Sequence, residues 1–144
     1  MADRTARVTW SGSLMEGSGT IESTGSGAIG GLEVTWAARA EPEQSGRTSP
    51  EELIAAAHAA CFCMALSHGL AQAGNAPEKL DVTATSTFVP GTGITQMKLD
   101  VTGTVAGIDE AAFVAAAEGA RDNCPVSGAL KGNVEILLDA RLAS

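Results

Sequence analysis

The sequence predicts an α+β domain with antiparallel sheets, and three observations predict it. One long stretch, Thr48 to Gly74, is apolar on almost every side and carries the start and stop signals of a helix. Shorter stretches on both sides of it alternate apolar and polar residues with the period of half-buried strands. Their order runs strands, helix, hairpin, helix, strand, without the strict strand-helix alternation of a parallel sheet. At 144 residues, 44% of them apolar, the chain is expected to form one domain, 1–144, with a substantial core.

Taken in order, Ala6, Val8 and Trp10 alternate with Arg7, Thr9 and Ser11 and predict a first strand. Ser11 to Gly31 is rich in Gly and Ser, as turns are, and only Ile21 and its neighbours suggest a second short strand. Leu32, Val34 and Trp36 alternate with Glu33, Thr35 and Ala37, predicting a strand that ends near Arg39. A loop from Glu41 to Thr48 follows. The central helix then starts with Ser49 as cap, Pro50 at the first helical position and Glu52 where a capping box puts its acid. Gly74 ends it. Its apolar residues leave almost no polar face, so it is expected to be covered on most sides, in part by a second subunit.

Beyond the helix, Leu80, Val82, Ala84, Ser86 and Phe88 form one face of a strand. Pro90-Gly91-Thr92-Gly93 turns the chain, and Ile94 to Val105 returns as the second strand of a hairpin. Asp109 caps a second helix, roughly Glu110 to Arg121, with Phe113, Ala116, Ala117 and Ala120 on one side. Pro125 opens a further helical turn, and Val134, Ile136, Leu138, Ala140 and Leu142 close the chain as a strand.

The net charge of −8 and isoelectric point near 4.6 argue against nucleic acid and anionic membrane, which need clustered Lys and Arg. Met1 to Ser13 is polar and has no signal-peptide core. The apolar run Leu53 to Leu66 is shorter than the roughly 20 residues a bilayer needs. A cytoplasmic protein is expected, and in a reducing cytosol three cysteines read as inert, catalytic or metal-bound.

Cys61 and Cys63, two apart on a helix, point about 200° from one another and can neither bridge nor share a metal ion. Cys124 precedes Pro125 and so stands where a helix N-terminus favours a thiolate. On the residues alone three readings stay open: small buried hydrophobes, a redox pair, or a metal site drawing on Cys61, Cys124, His58 and His68. His58 reads as a hydrogen-bonded core histidine.

The run Thr48-Ser49-Pro50-Glu51-Glu52-Leu53-Ile54-Ala55-Ala56-Ala57-His58-Ala59-Ala60-Cys61-Phe62, together with Asn123-Cys124-Pro125-Val126-Ser127, resembles the two signature segments of the OsmC/Ohr family of thiol-dependent hydroperoxide reductases. The Ala-Ala-His-Ala-Ala-Cys-Phe version is similar to the OsmC branch. The resemblance implies an OsmC-like fold in which sheets wrap paired central helices of an intertwined homodimer. It implies that Cys61 is the peroxidatic cysteine and Cys124 the resolving one, that Glu51 and an arginine complete the site, and that no metal or organic cofactor is used. Arg39 matches the family arginine, with Arg47 as competitor; on a regular strand Arg39 falls opposite Trp36, so a bend is needed to aim it inward. Cys63 has no place in the scheme and reads as packing. The substrate implied is an organic hydroperoxide, its tail against Phe62, Met64 and Leu66, with a small dithiol or lipoyl group as reductant. The alternative from another class is a non-enzymatic dimer that binds a small hydrophobic ligand or lipid.

Overall fold

The computed structural model describes residues 1–42 and 46–143. The chain divides into two compact units, Met1–Leu53 and Ile54–Ser144.

In the first unit, β1 (Ala6–Ser11), β2 (Ser18–Thr24) and β3 (Leu32–Val34) form an antiparallel sheet in the order β1-β2-β3. The strand expected to reach Arg39 stops at Val34. Thr35 then caps a short helix, α1 (Trp36–Ala40), its hydroxyl accepting from the Ala38 N–H at 3.1 Å. With that cap in place the Ala-rich run Trp36-Ala37-Ala38-Arg39-Ala40 prefers helix to strand. Trp36 and Arg39, opposite on a strand, are three apart on a helix and share a side, so no bulge is needed. Of the expected loop that follows, positions 43–45 lie outside the described residues.

The central helix, α2 (Pro50–Gln72), begins as its sequence dictates: Ser49 Oγ accepts from the Glu52 N–H at 3.2 Å. Its end is a Schellman turn. Gly74 takes a φ of +86°, its N–H bonds Ala71 O at 3.0 Å, and the Asn75 N–H bonds Leu70 O at 2.9 Å.

The second unit holds β4 (Lys79–Val89), β5 (Gly93–Thr104), α3 (Glu110–Asn123), α4 (Pro125–Leu130) and β6 (Glu135–Leu142). Its sheet has the order β4-β5-β6. The hairpin is antiparallel as expected, but β6 runs parallel to β5, which corrects the reading of purely antiparallel sheets. The physical reason is the connection. A parallel neighbour needs a crossover rather than a turn, and α3 with α4 supplies one.

In this unit Phe62, Leu66 and Leu70 of α2, spaced by four, meet Leu99 and Val101 of β5 and Phe113 and Ala117 of α3 in one core cluster. Gly103 of β5 lies under the Phe113 ring, where any Cβ would collide with Phe113 Cε2 and Cζ. The rest of α2 is less covered than its composition predicts. Only 22% of its apolar window is buried, and Ala56, Ala57, Ala60 and Met64 stay exposed. With 23 residues and a mean hydropathy of 1.6, α2 is long and apolar enough for a bilayer span. Its seating in the core cluster makes it the central helix of a packed unit instead.

Candidate active site

Two helices each present a pair of residues three apart, and the pairs face one another. On α2 these are His58 and Cys61; on α4 they are Cys124, its N-cap, and Ser127. His58 Nε2 and Ser127 Oγ lie 2.7 Å apart. Beside that rung the Cys61 thiol interacts with the Cys124 thiol. His58, Cys124 and Ser127 are buried, at 0%, 1% and 3% exposure, while Cys61 is half-buried and open enough to be reached.

The electrostatics of the two thiols differ. Burial pushes the Cys61 thiol up, and its hydrogen bond toward Cys124 adds to this against a smaller opposing effect of the Val126 amide. Burial also acts to raise Cys124, but the hydrogen bond from Cys61 and the amide and hydroxyl of Ser127 overcome it, and its thiol is lowered. Cys124 Sγ makes no regular capping hydrogen bond, so these amides act on it as nearby dipoles. Cys63 is pushed up by burial and then by the Asp81 carboxylate, an environment that makes a poor nucleophile. Burial lowers His58 and keeps it neutral.

In the first unit, Arg39 Nε donates to Glu51 Oε1 at 2.9 Å, with side chains 34% and 8% exposed. Glu51 Oε2 is buried without a partner among the described residues. A hollow of about 190 Å³ beside Arg39 is lined by Trp10, Leu14, Val34, Thr35, Trp36 and Pro50. Arg47 instead pairs with Glu33 at 3.2 Å, both side chains largely in solvent, where an ion pair contributes little.

Of the residues singled out in the sequence, the fold brings Cys61 to Cys124 and Arg39 to Glu51. His58 is a hydrogen-bonded core histidine, as expected. Phe62 and Leu66 do not line a surface near Cys61. Both are fully buried in the core cluster, because a residue next to Cys61 on a helix points about 100° away from it. Ser127 carries no predicted task in the sequence. Its signal was the spacing of three from Cys124 behind a Pro at the first helical position.

The family model described as OsmC-like protein matches residues 42–139. A protein of Escherichia coli K12 named peroxiredoxin OsmC is 42% identical over 138 residues, spanning 94% of this chain and 93% of that one. An organic hydroperoxide resistance protein OsmC of Legionella pneumophila superposes with a TM-score of 0.66 at 25% identity, covering 95% of this chain and 96% of that one. The organic hydroperoxide resistance protein OhrB of Bacillus subtilis gives 0.66 at 26% identity, covering 95% and 98%.

Proposed function

We propose that this chain, which belongs to the OsmC-like protein family, reduces organic hydroperoxides to alcohols with two thiols, Cys61 and Cys124. That it is a peroxidase rests on its peroxidase relatives, which set aside the non-enzymatic alternative. The observation that carries the thiol mechanism is the facing of Cys61, half-buried, and Cys124, fully buried, across α2 and α4. The Cys61 thiolate attacks the outer peroxide oxygen, the O–O bond breaks, the departing alkoxide takes up the proton that the thiol gave up and leaves as the alcohol, and Cys61 becomes a sulfenic acid. Cys124 condenses with it to a disulfide, releasing water. A small dithiol restores both thiols by exchange.

Burial opposes the Cys61 thiolate, so a cation has to offset it, and Arg39 is suited because it stays charged. Glu51 stands ten residues before Cys61 on α2, about 15 Å of helical rise. A site holding Cys61 with the Arg39–Glu51 pair therefore draws them from two copies whose α2 helices pack antiparallel. Three features support such a homodimer: the uncovered apolar side of α2, exposed Val8 and Trp10 on β1, and the unpartnered Glu51 Oε2. In that dimer the hollow of Trp10, Leu14 and Trp36 beside Arg39 receives the organic tail. The two compact units then work as one domain, in keeping with a family match that runs across their boundary at residues 53 and 54.

Three measurements test this reading. With excess dithiol, the protein is expected to consume cumene hydroperoxide at least about tenfold faster than hydrogen peroxide, because only the former buries an apolar tail. Equal rates would remove the organic specificity. Arg39→Met is expected to lower kcat/KM about a hundredfold, and Arg47→Ala to leave it within about twofold. Co-expressing Arg39→Met with Cys61→Ser should then restore about a quarter of wild-type activity, since hybrid dimers hold one complete site. Mixed chains as inactive as their parents would show that Arg39 serves its own chain.

A further inference from the structure

The His58–Ser127 contact joins the two helices that carry the redox pair, and the peroxidase mechanism above gives it no task. Both residues are buried, their side chains are 2.7 Å apart, and each stands three positions from a cysteine of the pair. The two contacts thus form adjacent rungs between α2 and α4. One rung, Cys61 with Cys124, has to change during the reaction. The other has no reason to change.

The direction of the His58–Ser127 hydrogen bond follows from the neighbouring groups. Ser127 has one hydroxyl proton. If Ser127 gave it to His58, the imidazole would carry its own proton on Nδ1, which is buried without a partner among the described residues. If Nε2–H donates to Ser127 instead, Nδ1 is a bare acceptor and the Ser127 proton is free for Cys124. A buried donor without an acceptor is the costlier arrangement. His58 therefore donates to Ser127, whose hydroxyl acts in turn on the Cys124 thiol beside it.

On the peroxidase reading, we propose that His58 and Ser127 are positioning residues for the resolving step: their hydrogen bond clamps α4 to α2 so that Cys124 faces the sulfenic acid on Cys61. In that step the Cys124 sulfur attacks the Cys61 sulfur, the S–S bond forms and the S–O bond breaks. The sulfenic sulfur is reduced and the Cys124 sulfur is oxidised. The departing hydroxide takes up the proton of the Cys124 thiol and leaves as water. The clamp does nothing for the earlier attack of Cys61 on peroxide. Its loss therefore separates two steps that a general loss of structure would slow together.

The test is a single turnover. Reduced protein is mixed with cumene hydroperoxide and quenched, and mass spectrometry follows dimedone-trapped sulfenic acid, disulfide and sulfinic acid. Ser127→Ala and His58→Leu are each expected to oxidise Cys61 within about twofold of the wild-type rate, but to form the disulfide about tenfold more slowly. Excess peroxide should then drive their lingering sulfenic acid to sulfinic acid. His58→Gln, which keeps an N–H donor at similar reach, is expected to recover most of the disulfide rate. Wild-type disulfide formation in Ser127→Ala and His58→Leu would overturn the proposal, and so would equal slowing of both steps. If Ser127→Ala does not fold, the contrast of His58→Gln with His58→Leu carries the same decision. A wild-type protein whose Cys61 is untouched by hydroperoxide would instead overturn the peroxidase reading.

Discussion

Cys61→Ser is expected to abolish peroxide consumption, lowering it by at least about 10⁴-fold with dithiol in excess. A serine hydroxyl at this position has too high a pKa to attack as an anion, and its oxygen has no counterpart of the sulfenic acid on which the second step depends. The other two cysteines should behave differently, because their surroundings differ. Cys124→Ser is expected to complete the first oxidation and then stall with Cys61 as sulfenic acid, since Cys124 holds the buried position facing it. Cys63→Ser should stay within about twofold of wild type, in line with a thiol that burial and Asp81 both keep protonated. Full activity in Cys61→Ser would end the proposed mechanism.

Phe62→Ala is expected to cost about 3–5 kcal/mol of stability, measured by urea unfolding of the reduced protein. Phe62 is fully buried in the cluster formed by α2, β5 and α3, together with Leu66, Leu70 and Phe113. Removing its ring takes away apolar burial and leaves a cavity that close-packed neighbours fill only in part. The loss is a large share of the roughly 5–15 kcal/mol that a domain of this size has in total. An unchanged unfolding midpoint would mean that the Phe62 stripe is not the structural face of α2. The pairing of Cys61 and Phe62 as neighbours is instructive: one step along the helix separates a residue exposed to chemistry from one fully enclosed.

Much of this arrangement was legible in the sequence, and where it was not the reasons are physical. Strong local signals were sufficient for α2, whose Ser49 cap and Gly74 stop both act as read, and for the β4–β5 hairpin with its Pro90-Gly91 turn. Helix α1 was hidden because Leu32 to Ala37 alternates like a strand, and Thr35 reads equally as a strand residue and as a cap. The parallel placement of β6 was hidden because period-two alternation says which faces a strand has and nothing about the direction of its neighbour. In the site, the Cys61–Cys124 and Arg39–Glu51 pairs follow from motif resemblance, since no local rule joins residues so far apart. The place of Ser127 was not legible because a serine in a short helix after Pro ordinarily faces water. Only the third dimension brings His58 to it.

The parallel pairing of β6 with β5 also sets the two thiols apart by the kind of contact that seats them. Cys61 stands on α2, a helix held by bonds local in the chain. Cys124 stands in the α3–α4 crossover that joins β5 to β6, whose parallel pairing links distant stretches, a kind of contact that forms slowly. On the proposed mechanism, a sulfenic acid formed on Cys61 before Cys124 faces it has no second thiol to carry it to a disulfide, and further peroxide takes it on to the irreversible sulfinic acid.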